Sequence, residues 1–417
     1  MNRRLLLSLI TLLAPVAASG QFDPTAQQQR ELQRQEKFNQ LQQLELDNRI
    51  RANDQVPIGQ RALLDYGVYI TAQYLSLDDR AHDNHGLTQY DIVPYARLNI
   101  DAANELFIRG RFSYQAFNPG DSFQNRGDQW HNDLDRGYYR FDLAKAEGAY
   151  EGKRIPFDVT IQAGRDLVYW ANGLVLGSVL DGAVIDLSWN KVSLQVITGI
   201  TPTRTVDIDS SRPDFDFNTR RGFYGAMLTA SMLGQRPFIY ALSQRDWNPR
   251  NDLALGNIHT HYAYNSYYLG AGSSGSITDH LVYGAEAVYE GGHTLSNGYE
   301  VTFSGLQPVP QTRDQISAAA ADFRLDYLPG DSRNSRFSFE TILASGDPDR
   351  GQANNTFNGN RPNTRDIGFN GFGLVNTGLA FSPEVSNLLA LRLGMATYPF
   401  PNHGALRRLQ VGTDLFI

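Results

Sequence analysis

Apolar and polar residues alternate with a period of two along most of the chain from residue 65 onward. In the segment 65–78, one strand face would carry Tyr66, Val68, Ile70, Ala72 and Tyr74, and the other Asp65, Gly67, Tyr69, Thr71 and Gln73. Alternation over more than ten residues exceeds a typical strand of a soluble protein. It matches the roughly 9–11 residues with which a tilted strand crosses a bilayer. The pattern therefore predicts membrane-spanning β-strands.

The same alternation predicts sixteen antiparallel strands. They are expected at residues 65–78, 91–101, 105–117, 138–150, 157–167, 183–189, 192–201, 221–233, 237–246, 262–275, 280–290, 316–327, 335–346, 374–381, 388–398 and 409–417. The predicted fold class is an all-β transmembrane barrel of about sixteen strands, or eighteen if the loops hide a further hairpin.

The connections between these strands alternate strictly between short and long. The short ones are 102–104, 151–156, 190–191, 234–236, 276–279, 328–334 and 382–387, and the long ones are 79–87, 118–137, 168–182, 202–220, 247–261, 291–315, 347–373 and 399–408. Outer-membrane barrels have short periplasmic turns and long extracellular loops, whereas a soluble sandwich or propeller gives no reason for this rhythm. The pattern predicts an outer-membrane protein with its N-terminal segment and C-terminus on the periplasmic side.

The N-terminal part of the chain has a different composition. Residues 1–20 combine two arginines, a short apolar stretch and a run of small residues, which is the pattern of a signal peptide. Residues 21–60 are rich in Gln, and near-helical spacing of apolar side chains predicts a periplasmic helix or coiled-coil segment that binds a periplasmic partner. A mobile polar tail is the alternative, because weak heptads rarely hold together alone. The barrel is then expected over residues 61–417.

The end of the chain supports a barrel. The last nine residues, LQVGTDLFI, have Gln410, Gly412, Leu415 and Ile417 in the polar-x-Gly-x-x-apolar-x-apolar pattern of the terminal strand of bacterial barrels, although a chance edge strand would look similar. The formal charge of −7 excludes a nucleic-acid partner bound by bulk positive charge. The absence of cysteine excludes disulfides and Cys-based metal sites.

Side chains that face the inside of a barrel are free to be polar, and many predicted inward positions carry arginine. The candidate lumen residues are Arg97, Arg109, Arg111, Arg140, Arg165, Arg221, Arg324, Arg336 and Arg392. Fixed cations would draw anions into a narrow aqueous pore, as charged rings do in selective channels. The alternative is that each arginine pairs with a nearby carboxylate and stiffens the wall.

The segment 159–189 contains a strand that ends in Gly-Arg, then a polar residue and an aromatic, a loop with small residues, and a strand that leads into Asp and an aromatic. These positions are Gly164, Arg165, Asp166, Tyr169, Gly173, Gly177, Asp186 and Trp189. In this block the chain resembles the alginate export family of outer-membrane channels. The resemblance implies a monomeric barrel of eighteen strands with an Arg-lined lumen that passes an anionic polysaccharide, and it implies that Arg165 lies on the lumen wall.

Other candidate sites are weaker. His293 and Ser296 in HTLSNG loosely resemble a catalytic pair, but Asn-Gly is more typical of a turn. Asp347 and Asp349 supply too few carboxylates for calcium. His259 and His261 lie at a loop edge. We therefore predict no catalytic residue, metal site or cofactor.

The predicted function is passive passage of polar or anionic solutes across the outer membrane, with export of an anionic polysaccharide such as alginate as the finer hypothesis. The expected partners are outer-membrane lipid, lipopolysaccharide and a polar or anionic saccharide. A loop-plugged barrel that binds or anchors through its N-terminal helix is the main alternative, and an enzyme within the barrel is the third.

Overall fold

The computed structural model describes residues 61–417 apart from 79–83, 118–127, 210, 213–217, 251, 304, 352–356, 358 and 379–382. The predicted signal peptide and Gln-rich segment lie outside these residues. The strands are β1 (Ala62–Asp78), β2 (Asn84–Ile100), β3 (Asn104–Phe117), β4 (Gln129–Asp142), β5 (Phe157–Tyr169), β6 (Gly177–Trp189), β7 (Val192–Ile200), β8 (Arg221–Ala230), β9 (Gln235–Asp246), β10 (Asp252–Leu255), β11 (Ile258–His261), β12 (Tyr264–Thr278), β13 (Leu281–Leu295), β14 (Tyr299–Thr302), β15 (Gly305–Pro308), β16 (Arg313–Tyr327), β17 (Arg336–Ala344), β18 (Leu388–Thr397) and β19 (Val411–Phe416); one helix, α1, spans Leu143–Tyr150.

The fifteen long strands form a single antiparallel sheet in which each strand pairs with the next one along the chain. The remaining four strands form two small hairpins, β10–β11 and β14–β15, in the connections on either side of the β12–β13 pair. The described part of the chain thus confirms the predicted all-β meander. No helix among the described residues is long and apolar enough to cross a membrane.

The two faces of the sheet have the opposite polarity to those of a soluble protein. On β3, Ile108 and Phe112 are 54% and 46% exposed, whereas Arg109 and Ser113 on the other face are 0% and 5% exposed. The same arrangement recurs on β13, where Tyr289 is exposed and Glu290 is buried. Soluble proteins rarely bury arginine and glutamate while they expose the apolar side chains of the same strand. An outward apolar face and an inward polar face are the pattern of a barrel in lipid.

The sheet curls around its own connections. The connection between β5 and β6 touches the inward face of β13, because the backbone N–H of Asn172 donates to the Glu286 carboxylate at 2.9 Å. β6 and β13 are five strand positions apart in the sheet, or roughly 24 Å along a flat surface at the usual strand spacing. Only a strongly curved sheet brings both into contact with one short connection.

Several predicted elements were wrong in detail. The predicted strand 138–150 ends at Asp142, and α1 follows it, because LAKAEGAY consists mostly of good helix formers and the Asp142 side chain caps the helix by accepting from the Lys145 N–H at 2.9 Å. In the predicted strand 374–381, the described residues 374–378 form no strand. They continue a connection that runs from β17 to β18 and packs inside the sheet.

This change also alters the predicted position of the C-terminus. With fifteen strands in one antiparallel meander, β1 and β19 run in the same direction. The start of β1 and the end of β19 therefore point toward opposite rims, whereas the prediction placed both termini at one rim. For the same reason, the connection between β18 and β19, residues 398–410, lies with the short turns, whereas the loop predicted at 399–408 was expected at the opposite rim.

Candidate functional site

Two connections fold against the inward face of the sheet. We call residues 170–176 the first inward loop and residues 366–375 the second inward loop. They pair with each other through backbone hydrogen bonds, from Phe372 N to Val175 O, from Leu374 N to Gly173 O and from Gly177 N to Phe372 O, each 2.9 Å long. The two loops therefore form one unit inside the curved sheet.

Glycines allow this close approach. A Cβ atom on Gly373 would lie 2.1 Å from the Gly173 carbonyl oxygen, which is far inside van der Waals contact. Gly173 itself has a φ of +85°, a conformation that side chains with a Cβ rarely adopt. The glycines of this region therefore specify the contact between the loops.

The loop pair has an apolar core of its own against the wall. Aromatic contacts join Trp170 to Tyr240 at 5.7 Å between ring centroids, Phe372 to Phe223 at 5.0 Å and Phe369 to Tyr268 at 6.3 Å. The other buried loop residues of this core are Leu174, Val175, Leu176 and Val375. Because these side chains exclude water, the loop pair narrows the interior where it lies.

Two carboxylates of β13 hold the loop pair in place. Glu286 accepts hydrogen bonds from the backbone N–H of Asn172 at 2.9 Å and from the Tyr240 hydroxyl. Glu290, four residues along on the same face, accepts from the backbone N–H of Asn370 at 2.8 Å and from the hydroxyls of Tyr264 and Tyr268. β13 thus holds each of the two inward loops through one carboxylate.

Most of the predicted lumen arginines are paired with carboxylates. The pairs are Arg109–Asp135, Arg111–Asp91 (3.1 Å), Arg165–Asp181 (2.6 Å), Arg221–Asp207 (2.6 Å), Arg324–Asp326 (2.9 Å), Arg336–Asp326 (3.8 Å) and Arg392–Glu340 (2.9 Å). Arg97 lies over the Phe107 ring at 5.5 Å. Arg140, half-buried, lies in register with Glu105 and Gln162 and has no ion pair among the described residues. The structure therefore favours the interpretation of wall-stiffening pairs for this set.

The structure also contains a buried cluster of charged side chains that the sequence did not predict. Arg212 and Asp207, in the connection between β7 and β8, join Arg221 and Asp246 in a four-residue cluster with N–O distances of 2.6 to 3.7 Å. All four side chains are at most 4% exposed. The cluster borders a cavity of about 220 Å³ that also touches Thr201, Phe372 and Glu384. Period-two alternation identifies Arg221 but says nothing of partners contributed by a loop.

The weaker candidates are not assembled into sites. The buried Ser296 hydroxyl donates to Asn297 O and accepts from Thr312 N, and the exposed His293 is not among its partners. His259 bonds to Asp252 at 2.8 Å. Within the described residues, no group of three or more His, Asp or Glu side chains is arranged to hold a metal ion.

The acidic loop residues have other roles. Asp347 accepts from the backbone N–H groups of Asp349 and Ile367, and Asp349 pairs with Arg361 at 3.3 Å. In the second inward loop, burial raises the pKa of Asp366, although Arg350 lies 3.6 Å away.

An antiparallel meander that is apolar outside, polar inside and curved around its own loops defines a membrane-spanning β-barrel protein. No known family model matches this sequence, and no curated protein sequence is significantly similar to it. The resemblance to the alginate export family therefore stays a hypothesis.

Among solved structures, the chain is similar to outer-membrane porins. Salmonella typhi OmpF in complex with daunomycin is 10% identical, with 86% of this chain and 98% of that chain covered and a TM-score of 0.42. The anion-selective porin from Comamonas acidovorans is 9% identical, with 81% and 83% covered and a TM-score of 0.34. Pseudomonas aeruginosa OccK5 (OpdH) is 8% identical, with 86% and 92% covered and a TM-score of 0.34.

Proposed function

We propose that this protein is an outer-membrane channel for passive passage of small polar solutes, narrowed by the two inward loops. The observation that carries the proposal is the buried polar inward face, on which charged side chains line the interior while apolar side chains face lipid. The loop pair then sets the width of the passage, because it shares one buried core with side chains of strands from β6 to β18.

A finer proposal concerns the cargo. Passage of anionic solutes, up to a polysaccharide such as alginate, is supported by the similarity of segment 159–189 and by Arg165 on β5, whose side chain is partly exposed. The ion pairs neutralise much of the positive charge on which this idea depends. We therefore place small polar solutes first and anionic saccharides second.

A second candidate function is a plugged barrel that serves in binding or anchoring. It is favoured by one observation, the water-excluding core between the inward loops and the wall. In this case the interior would not conduct, and the N-terminal segment would carry the interaction with a periplasmic partner.

Conductance measurements distinguish these functions. The protein, refolded and inserted into planar bilayers of outer-membrane lipid, should give stepwise ionic currents, and mock insertions without protein should give none. Silent wild-type protein that conducts once the loops are loosened would contradict the open channel and support the plugged barrel. Fractionation of cells that express the chain tests the outer-membrane location, and its recovery in a soluble fraction would contradict it.

A further inference from the structure

The inward faces of β13 and β16–β19 carry an excess of negative charge. The carboxylates are Glu286, Glu290, Asp314, Asp322, Asp326, Glu340 and Asp414, and the guanidinium groups are Arg324, Arg336 and Arg392. Seven carboxylates against three guanidinium groups leave a formal charge of −4. This region is therefore opposite in sign to the Arg-lined wall expected from the sequence.

Asp322 on β16 is the member of this group that lacks a partner. It is 5% exposed, and its Oδ1 atom is buried and accepts no hydrogen bond. Within the described residues it also forms no ion pair; Arg324, two residues along the same strand face, pairs with Asp326 at 2.9 Å. A carboxylate in such surroundings costs several kcal/mol unless a cation or donor compensates it.

The neighbours of Asp322 add negative charge. Glu286 lies directly opposite Asp322 in the β13–β16 register, and Glu340 lies on β17 one inward position away. Tyr169, at the end of β5, donates its hydroxyl to Asn172 O at 2.7 Å, and Asn172 in turn donates its N–H to Glu286. Both oxygens of Glu286 already accept donors, from Tyr240 and Asn172, and Glu340 accepts from Arg392, whereas the buried Oδ1 of Asp322 has no donor among the described residues.

We propose that Asp322, flanked by Glu286 and Glu340, is a subsite for an ammonium or guanidinium group of a solute. This inference rests on the proposed channel and names its preferred charge. A metal ion is a poor fit, because calcium needs six to eight oxygen ligands and magnesium near-octahedral geometry. An N–H donor needs only the free oxygen of Asp322. The partly exposed side chain of Arg324 lies two residues along the same face of β16 from Asp322.

Block of single-channel current tests the subsite. Arginine amide, added on one side of a bilayer that contains wild-type channels, should reduce the KCl current at lower concentration than glucose does. Asp322→Asn should raise the half-blocking concentration roughly tenfold or more, because the neutral amide cannot form a charge-assisted hydrogen bond with the guanidinium group. In the same variant, the reversal potential measured in a KCl gradient should shift toward the equilibrium potential of chloride.

The matched control is Asp326→Asn, which removes the same charge from the same face of β16, four residues away, at a carboxylate that already binds Arg324 and Ser338. We expect a much smaller change in block. Equal effects of the two substitutions would show that net charge, rather than a site at Asp322, sets the preference, and would overturn the inference. Circular dichroism melts of both variants verify that they fold.

The channel proposal and the subsite proposal can be refuted independently of each other. If the wild-type protein is silent in bilayers, the channel proposal fails, and calorimetric titration of the detergent-solubilised protein with arginine amide still decides the subsite. Binding that Asp322→Asn weakens would support the subsite, whereas absence of binding to wild type would overturn it. Open channels with no preference for arginine amide over glucose overturn the subsite alone.

Discussion

Replacing Glu290 by alanine removes the carboxylate that holds the second inward loop against β13. Three donors end on this side chain, the Asn370 N–H at 2.8 Å and the hydroxyls of Tyr264 and Tyr268. Glu290 is 0% exposed, so water cannot take its place without opening the core. The substitution should therefore act on the attachment of the loop rather than on the strand.

The size of the effect follows from these contacts. Hydrogen bonds to a charged group contribute about 1.5–3 kcal/mol each, so loss of the Asn370 bond and one hydroxyl bond amounts to about 3–6 kcal/mol. Burial of the carboxylate without a cation offsets part of this, and we expect the lower end. Since about 1.4 kcal/mol corresponds to a factor of ten, the population with a released loop should rise roughly 100-fold.

Two measurements check this expectation. Hydrogen exchange of the Asn370 amide should become roughly 100-fold faster in Glu290→Ala, and single channels should show a larger or more frequent open level. Glu290→Gln, which keeps one oxygen for the Asn370 N–H, should lie between the two proteins. Glu300→Ala, at an exposed position of β14, is the control and should leave both readouts unchanged. Unaltered amide exchange and conductance in Glu290→Ala would refute the conclusion that Glu290 holds the second inward loop against β13.

Three further expectations concern the loops and the lipid-facing surface. Gly373→Ala puts a Cβ atom 2.1 Å from a carbonyl of the first inward loop and should separate the loops, with raised conductance; Gly404→Ala, which meets nothing within 4 Å, should behave as wild type. The pKa of Asp366 is raised above its ordinary value of 3.8, so its contribution to loop stability is complete below that value and is lost as the pH rises through the raised pKa; loop amides, corrected for intrinsic exchange, should lose protection with rising pH, and a persistent pH dependence in Asp366→Asn would contradict this. Ile108→Arg, at a position 54% exposed to lipid, should destabilise the folded protein by about 2–4 kcal/mol if it lies near the bilayer midplane. Leu233→Arg in a rim turn should cost about 0–1 kcal/mol, and equal urea-unfolding midpoints would argue against a lipid-facing surface.

Period-two alternation predicted the wall well because each strand meets lipid on one face and a polar interior on the other. The strand predicted at 316–327 lies within β16, and that predicted at 280–290 largely coincides with β13. Alternation failed where local chemistry competes with it, as at α1, where an aspartate cap and strong helix formers end β4. It also failed at 374–378, where apolar residues are buried against the inward loops rather than in a ladder.

The inward loops lay beyond prediction for a physical reason. Asn172 and Glu286 are far apart in sequence, and nothing local to residues 170–176 indicates that their amides will meet a carboxylate of β13. The glycines of both loops were visible in the sequence, but a glycine is equally consistent with an ordinary surface turn. The strand face of an arginine is likewise predictable from alternation, whereas its partner depends on the register with a neighbouring strand, as in Arg165–Asp181.

β13 influences both the width of the passage and the charge of its wall. Glu286 holds the first inward loop and lies opposite Asp322, so its carboxylate belongs both to the loop attachment and to the negative subsite. If the loop were released, Glu286 would lose its backbone donor Asn172, and the oxygen set free would strengthen attraction for a cationic group. By the reciprocity of binding equilibria, a cation that binds better when the loop is released must itself favour release. The solute that the subsite recognises would then also help to open the path through which it moves.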